Sequence, residues 1–482
     1  MRSDRTLALR IAEIALMVGV GVAVVIQPTV GIALALGLMA VVVAIRAPAA
    51  LGLAFLCWIP LRGIVMTSLG GASSGVGLAE LCVTALLVAA ALPHLRRIEW
   101  VWEPRWPWAA AAAFVLIAVL SAALNHSGWV QLSAGLRSYF QLPVTVLAVA
   151  ALVDDAAHRA KLVTALVAVT ALQIPVAAVQ FLAHGGRPGP DDIVGTLGAG
   201  GANVLGLWML VAVVAGVTAY LKHPQVWVLP LLAGWLGVMV LASSRASIWL
   251  LVPCLLLALS ARAGRRAGMV NTRRLLLLVL VALVVVGLTG YYYANVRGRS
   301  IAVDLLSFSG LIQEQESIQP GAVPRLAYAA YSYDYVRQNA PVPLLGMGPA
   351  STASGAAAGL KTSGYLDYST GLRLIAEGSA IGTVNSTFIP LPTQAIATAV
   401  EYGPLGLAAF GAFVIGIGVV FLRRAAGSLD PYIDWRHVAM WLLVMVPGTI
   451  YVNSWEGMSV LTLGFWQWWI MAAPPQSAGD LG

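Results

Sequence analysis

The stretch LASSRASIWLL (241–251) places Arg245 among Ser243, Ser244 and Ser247, between two long apolar runs. A guanidinium stays charged at any relevant pH and is costly to place in hydrocarbon, so it marks either a membrane surface or a site for an anion. Arg137, in LRSYFQLPVT, has the same kind of setting. Arg325 and Arg373 fall in a later segment rich in Gly, Ser and Tyr. A planar fork of donors matches phosphate oxygens, and several forks together match a pyrophosphate. The competing reading is that such arginines snorkel to headgroups or pair with acids nearby.

The elements that must hold these arginines are apolar. The chain has 482 residues, 60% hydrophobic and only 10% charged, with a mean hydropathy of +0.86. Soluble domains carry roughly 25% charged residues, so composition points to a multispanning membrane protein. Apolar stretches centre on 8–26, 29–46, 48–60, 76–93, 107–124, 133–152, 161–182, 202–221, 226–242, 247–260, 275–292, 402–422, 437–452 and 457–473. The expected fold is all-α, a polytopic transmembrane helix bundle of about 14 spans, with roughly 12 as the lower count.

Positive charge sets the orientation. With the N-terminus (Arg2, Arg5, Arg10) in the cytoplasm, Arg46, Arg96/Arg97, Arg159/Lys161, Lys222, the basic 261–274 and Arg423/Arg424 all fall on the same side. Both termini are then cytoplasmic. The same parity makes 293–395 one large extracytoplasmic loop, between an N-terminal bundle (1–292) and C-terminal helices (396–482). VPRLAYAAYSYDYVRQNA (323–340) has helical apolar spacing, so the loop is expected to be an ordered domain with short helices. Arg137, Arg245, Arg325 and Arg373 all become external, against the usual bias. The many tryptophans near span ends, such as Trp106 and Trp108, fit an aromatic belt.

Several chemistries are argued against. Cys57, Cys82 and Cys254 lie inside apolar segments, without metal-ligand spacing or the pattern of a disulfide framework. The sequence has no P-loop, no dinucleotide fingerprint and no HExxH. No metal and no cofactor is therefore expected. His126 and His184 are single histidines in short external loops, better suited to the interface than to proton transfer.

Four segments carry a resemblance. IVGTLGAGGANVLGLWML (193–210) has Gly195, Thr196, Gly198 and Asn203; LASSRASIWLLVP (241–253) has Ser244 and Arg245. Arg325 precedes YDYVRQNAPVPLLGMGPAS (333–351), and AIATAVEYGPLGLAAFG (395–411) has Glu401, Gly403 and Gly406. In this order, around a long loop, they resemble the bacterial O-antigen ligase/polymerase superfamily, over roughly residues 50–422. Family ligases usually carry a His shortly before the Glu of the last motif; Pro392 stands at that position, and 293–395 has no His. That departure points towards a polymerase or a divergent ligase.

The resemblance implies a glycosyltransferase of the bacterial cytoplasmic membrane, acting at its outer face. It would move or polymerise glycan from an undecaprenyl-pyrophosphate donor onto a glycan or lipid acceptor, for a polysaccharide of the cell envelope. Arg137, Arg245, Arg325 and Arg373 would stabilise charge developing on the pyrophosphate leaving group without a metal. Glu401 and Glu377 are the acids expected to activate the acceptor hydroxyl; for Glu401 a helix-start carboxylate favoured by the macrodipole is the plainer alternative. Two other classes fit the architecture. A lipid-linked oligosaccharide flippase would tend towards internal repeats and midplane charges, and no repeat of fixed period is present. A polyprenyl-phosphate-sugar glycosyltransferase would carry acids in its first external loop, yet the first external turn here is QPT (27–29), and 61–75 has no acid either.

Overall fold

The computed structural model of the chain describes residues 39–69, 73–95, 105–152, 156–186, 192–198, 201–222, 225–242, 247–248, 250–251, 253–255, 287, 325–378 and 393–427. Every regular element among them is helical. The helices are α1 Pro48–Leu69, α2 Ser73–Leu95, α3 Trp106–Leu124, α4 Trp129–Leu152, α5 Ala156–Ala183, α6 Ala202–Lys222 and α7 Val228–Leu241. They continue with α8 Arg325–Asn339, α9 Gly355–Leu360, α10 Ser363–Gly378 and α11 Gln394–Gly427, with a 3-10 turn at Pro343–Leu345.

Apolar helices are what these sequences dictate. In hydrocarbon only a helix or a closed barrel satisfies every peptide group internally. The Ala- and Leu-rich runs favour the helix. Pro107 opens α3 at a position where no N–H is needed, and Asn125 caps its far end. By length and composition, Trp106–Leu124, Thr164–Ala183 and Gln394–Gly416 are long and apolar enough to cross a membrane; Pro48–Ile64, Ala79–His94, Ala202–Val217 and Val228–Leu241 are shorter apolar helices. The expected spans at 76–93, 107–124, 133–152, 161–182, 202–221, 226–242 and 402–422 coincide with α2 to α7 and α11. Those at 8–26, 275–292, 437–452 and 457–473 lie outside the described residues, apart from position 287.

The chain divides into two compact units, Met1–Arg97 with Val144–Leu162, and Ile98–Pro143 with Val163–Gly482. In the first, α1 and α2 pair around a polar contact. Glu80 Oε1 lies 2.9 Å from Arg62 Nε and accepts the Trp58 indole N–H at 2.9 Å. A carboxylate and a guanidinium in apolar helices are tolerable only when paired in this way. Thr84 and Thr145 share a buried hydroxyl–hydroxyl bond in the same unit.

Among the described residues of the second unit, two larger apolar centres stand out. In one, α6 and α7 pack along Leu205, Trp208, Leu232, Trp235 and Met239 with Ala177 of α5. The Trp235 indole donates to the Thr170 carbonyl. In the other, Phe114 of α3 stacks among Tyr139 and Phe140 of α4 and Tyr402 and Phe410 of α11. A smaller core joins the 325–378 segment to α11 through Tyr328, Val336, Ala353, Tyr368, Leu372, Ala397 and Val400. The helix expected from spacing in 323–340 is α8. Residues of 325–378 pack on α11 through that small core.

Candidate functional site

The site begins with a break in α11. Gly403 has φ 68 and ψ −179, outside the helical region, and Pro404 follows it. Proline has no N–H, so the Val400 carbonyl four residues earlier loses its helical donor. The loop 346–354 supplies replacements. Met347 N–H donates to the Val400 carbonyl at 2.9 Å, and Gly348 N–H to the Glu401 carbonyl at 3.0 Å. Ser121 of α3 adds its hydroxyl to the same Glu401 carbonyl at 3.3 Å. The kink thus creates two acceptors, and the loop fills them.

The Glu401 side chain completes the clamp. It is fully buried. Oε2 accepts the Ala350 N–H at 2.9 Å, while Oε1 accepts those of Ser354 at 2.9 Å, Ala353 at 3.1 Å and Thr352 at 3.4 Å. The Ser354 hydroxyl also bonds to the carboxylate, and it accepts the Ala357 N–H as the N-cap of α9. A run of peptide donors converging on one acceptor group is a nest of the kind that binds anions, and here the protein fills it with its own carboxyl group.

Close approach is built in by glycine. A Cβ on Gly403 would collide with the Leu344 carbonyl, and one on Gly346 (φ 73) would meet the Gly403 nitrogen and the Val400 carbonyl. Both glycines also need their positive φ, which a side chain resists. On α4, a Cβ at Gly135 would lie 2.6 Å from the Tyr402 hydroxyl and 2.8 Å from Pro349 Cβ. Asn125 holds the loop from α3, its Nδ2 donating to the Gly346 carbonyl at 3.1 Å and to the Ser121 carbonyl at 2.8 Å. Tyr139 of α4 bonds through its hydroxyl to Thr398 of α11 at 3.0 Å.

A second irregular segment is held in the same style. Within 193–198, Gln180 Oε1 accepts the N–H groups of Val194 and Gly195, and its Nε2 donates to the Gly195 carbonyl at 2.8 Å. Gln173 Oε1 accepts the Thr196 N–H at 2.9 Å, and its Nε2 donates to the Thr196 hydroxyl at 2.8 Å. Gln173 and Gln180, seven residues apart on α5, share one face and read the backbone of the Gly-Thr-x-Gly segment.

The six residues singled out from sequence are placed as follows. Glu401 is the anchor just described. Arg137 lies on α4, half-buried, with its Nε donating to Gln141 at 2.6 Å. Gly135 and Tyr139 of α4 meet the loop and α11, Phe140 packs on Phe413 of α11, and Arg137, two positions from Gly135 and from Tyr139, points away from those two. Arg325 is the first residue of α8, and Arg373 and Glu377 lie in α10. Their backbones therefore belong to the two helices that pack together through Tyr328, Ser332 and Tyr368. Arg245 lies outside the described residues.

Sequence reasoning passed over Asn125, Ser121, Gln173, Gln180 and the Arg62–Glu80 pair. The last three features had a visible signal, a polar or charged group inside an apolar helix. Among the described residues no group of His, Cys, Asp and Glu is placed to hold a metal ion. No family model matches the sequence, and no curated protein matches it.

Proposed function

We propose that this chain is a membrane glycosyltransferase that moves or polymerises glycan from an undecaprenyl-pyrophosphate donor at the outer face of the bacterial cytoplasmic membrane. In this reading the bundle has about 14 spans, both termini are cytoplasmic, and 293–395 is external. The observation that carries the proposal is the meeting of two separated motifs. Leu345-Gly346-Met347-Gly348 and Glu401-Tyr402-Gly403 resemble successive family motifs in the sequence, and they are bonded backbone to backbone around the kink in α11. A loop fixed this firmly to a membrane helix is what a reaction at the membrane surface needs. Rigid placement of reacting groups supplies much of the rate in transfer chemistry.

The roles divide in this reading as follows. Glu401 has its oxygens occupied by peptide donors, so it acts as a positioning residue for the loop. The acceptor hydroxyl then needs another proton acceptor, and Glu377 of α10 is the acid assigned to it. Arg137, Arg245, Arg325 and Arg373 are the groups assigned to the pyrophosphate, whose departure leaves negative charge that arginine forks stabilise.

Deleting the gene tests this directly. The expected result is loss or shortening of a surface glycan with accumulation of lipid-linked glycan at the outer face. Single repeats still reaching the final acceptor identify a polymerase; long polymer retained on lipid identifies a ligase. Intact surface glycan in the deletion strain overturns the proposal. Lipid-linked units trapped at the cytoplasmic face would assign the chain to the flippase class instead.

A further inference from the structure

Six of the chain's 14 tyrosines lie in α8 and α10: Tyr328, Tyr331, Tyr333, Tyr335, Tyr365 and Tyr368. Tyr328 and Tyr368 are buried in the small core, where Tyr368 bonds to the Ser332 hydroxyl at 2.6 Å. Tyr331 and Tyr335 are different. One turn apart on α8, they sit half-buried at the edge of that core, with ring centroids 5.8 Å apart and each packed against Tyr368. Tyr331 lies across α10 at Gly371, where any Cβ would strike its ring. Asp367, one turn before Gly371 on the same face of α10, is exposed beside them, and its charge bears on both phenols. Asp334, on the face of α8 that carries Tyr331, is exposed as well.

Half-exposed rings rimmed by carboxylates have a characteristic use. A phenol has an apolar body and a polar tip. A pyranose has the complementary character, with C–H faces that stack on a ring and hydroxyls that a carboxylate accepts. The Tyr331 and Tyr335 rings tilt by 44° against one another, and the buried Tyr368 backs both of them on the inner side. Resting on the glycosyltransferase reading above, we propose that Tyr331, Tyr335 and Asp367 form a glycan-binding platform that holds sugar residues of the growing or transferred chain. Tyr333, 68% exposed on the other side of α8, stands outside it.

The test uses the full chain in lipid nanodiscs and, as probe, surface glycan released from the parent cells by mild acid. Tyrosine nitration by tetranitromethane is mapped by mass spectrometry with and without glycan. Saturating glycan should slow modification of Tyr331 and Tyr335 several-fold and leave Tyr333 unchanged. Asp367→Asn keeps an exposed polar side chain and should fold normally; it should raise the glycan concentration for half-protection about ten-fold, the size expected for losing a charged acceptor. Tyr331→Leu with Tyr335→Leu removes the stacking surface and should raise KM for lipid-linked glycan with little change in kcat, and Tyr331→Phe with Tyr335→Phe should bring KM back towards wild type. Equal nitration with and without glycan, in a protein whose deletion removes surface glycan, overturns the platform and leaves the glycosyltransferase reading standing. Intact surface glycan in the deletion strain removes both.

Discussion

Glu401 Oε1 accepts the peptide N–H of Ser354 at 2.9 Å, joining a membrane helix to a loop residue 47 positions earlier in the chain. Three more N–H groups, from Ala350, Thr352 and Ala353, converge on the same carboxylate. Removing the acceptor strands all four donors in a buried place. Each orphaned donor costs about 1–3 kcal/mol, and losing one side of a buried charged contact costs about 3–5 kcal/mol in total. Glu401→Ala should therefore raise amide exchange across 346–358 and lower the melting temperature. Glu401→Gln keeps one acceptor but turns an NH2 towards donors, so it should fall between. Exchange rates in Glu401→Ala equal to wild type would remove the clamp from the account.

The parts of this arrangement were unequally legible in the sequence. The spacing in 323–340 marks α8 because a helix buries one stripe, and Tyr328, Ser332 and Val336 form that stripe. Glu401 stands out as an acid in an apolar run, yet its partners are backbone amides, which carry no residue-type signature. Only Gly346, Gly403 and Pro404 hint that two main chains must meet there. Arg137 and Gly135 look alike in sequence as features of one segment, and helical geometry sends them to opposite sides of α4. Arg245 lies outside the described residues.

Glycines in α11 should respond in opposite directions. Gly403→Ala meets the Leu344 carbonyl and needs a positive φ, and a strained position of this kind costs about 1–3 kcal/mol before any clash is counted. Gly411 has open space around its missing Cβ and lies within the helix. Gly411→Ala should stabilise by about 0.5–1 kcal/mol. Thermal unfolding in one detergent, compared across the pair, reads both signs. Equal shifts would mean that the kink is not a fixed feature.

The tyrosine core of the 325–378 segment should make its stability depend on alkaline pH. Burial pushes the Tyr368 phenol well above its ordinary value near 10, with smaller upward shifts for Tyr328 and Tyr365, also from burial. The folded state thus holds these protons where the unfolded chain releases them. The stabilisation is complete below pH 10 and is lost as pH rises beyond it. Hydrogen exchange of α8 and α10 should accelerate above pH 10, after correction for the intrinsic rate, and spectrophotometric titration should show a late-ionising fraction. Tyr368→Phe should remove part of that late fraction.

Sidedness is testable with single cysteines in a chain carrying Cys57→Ala, Cys82→Ala and Cys254→Ala. Lys361 is exposed at the end of α9, which makes Lys361→Cys a clean reporter for the loop. Thr272→Cys reports on the basic 261–274 segment. An impermeant maleimide added to intact spheroplasts should label position 361 and spare 272. Labelling of 272 alone would invert the topology and take the external site with it.

Arg245 is the sharpest test of the anion chemistry. Lys at 245 keeps the charge but loses the planar fork, so Arg245→Lys should be impaired and Arg245→Ala more so. A charge-assisted bidentate contact is worth about 1.5–3 kcal/mol, which corresponds to roughly a ten- to hundred-fold loss in turnover. Arg137 is held by Gln141 at 2.6 Å, so Gln141→Leu should mimic part of Arg137→Ala by releasing the guanidinium from its orientation. Arg187→Ala serves as the control and should stay within a few-fold of wild type. The readout is glycan chain length in cells whose only copy is the variant, normalised to protein level. If Arg245→Ala still builds full-length glycan at normal abundance, the pyrophosphate is held elsewhere, and the arginines of α4, α8 and α10 must be examined without it.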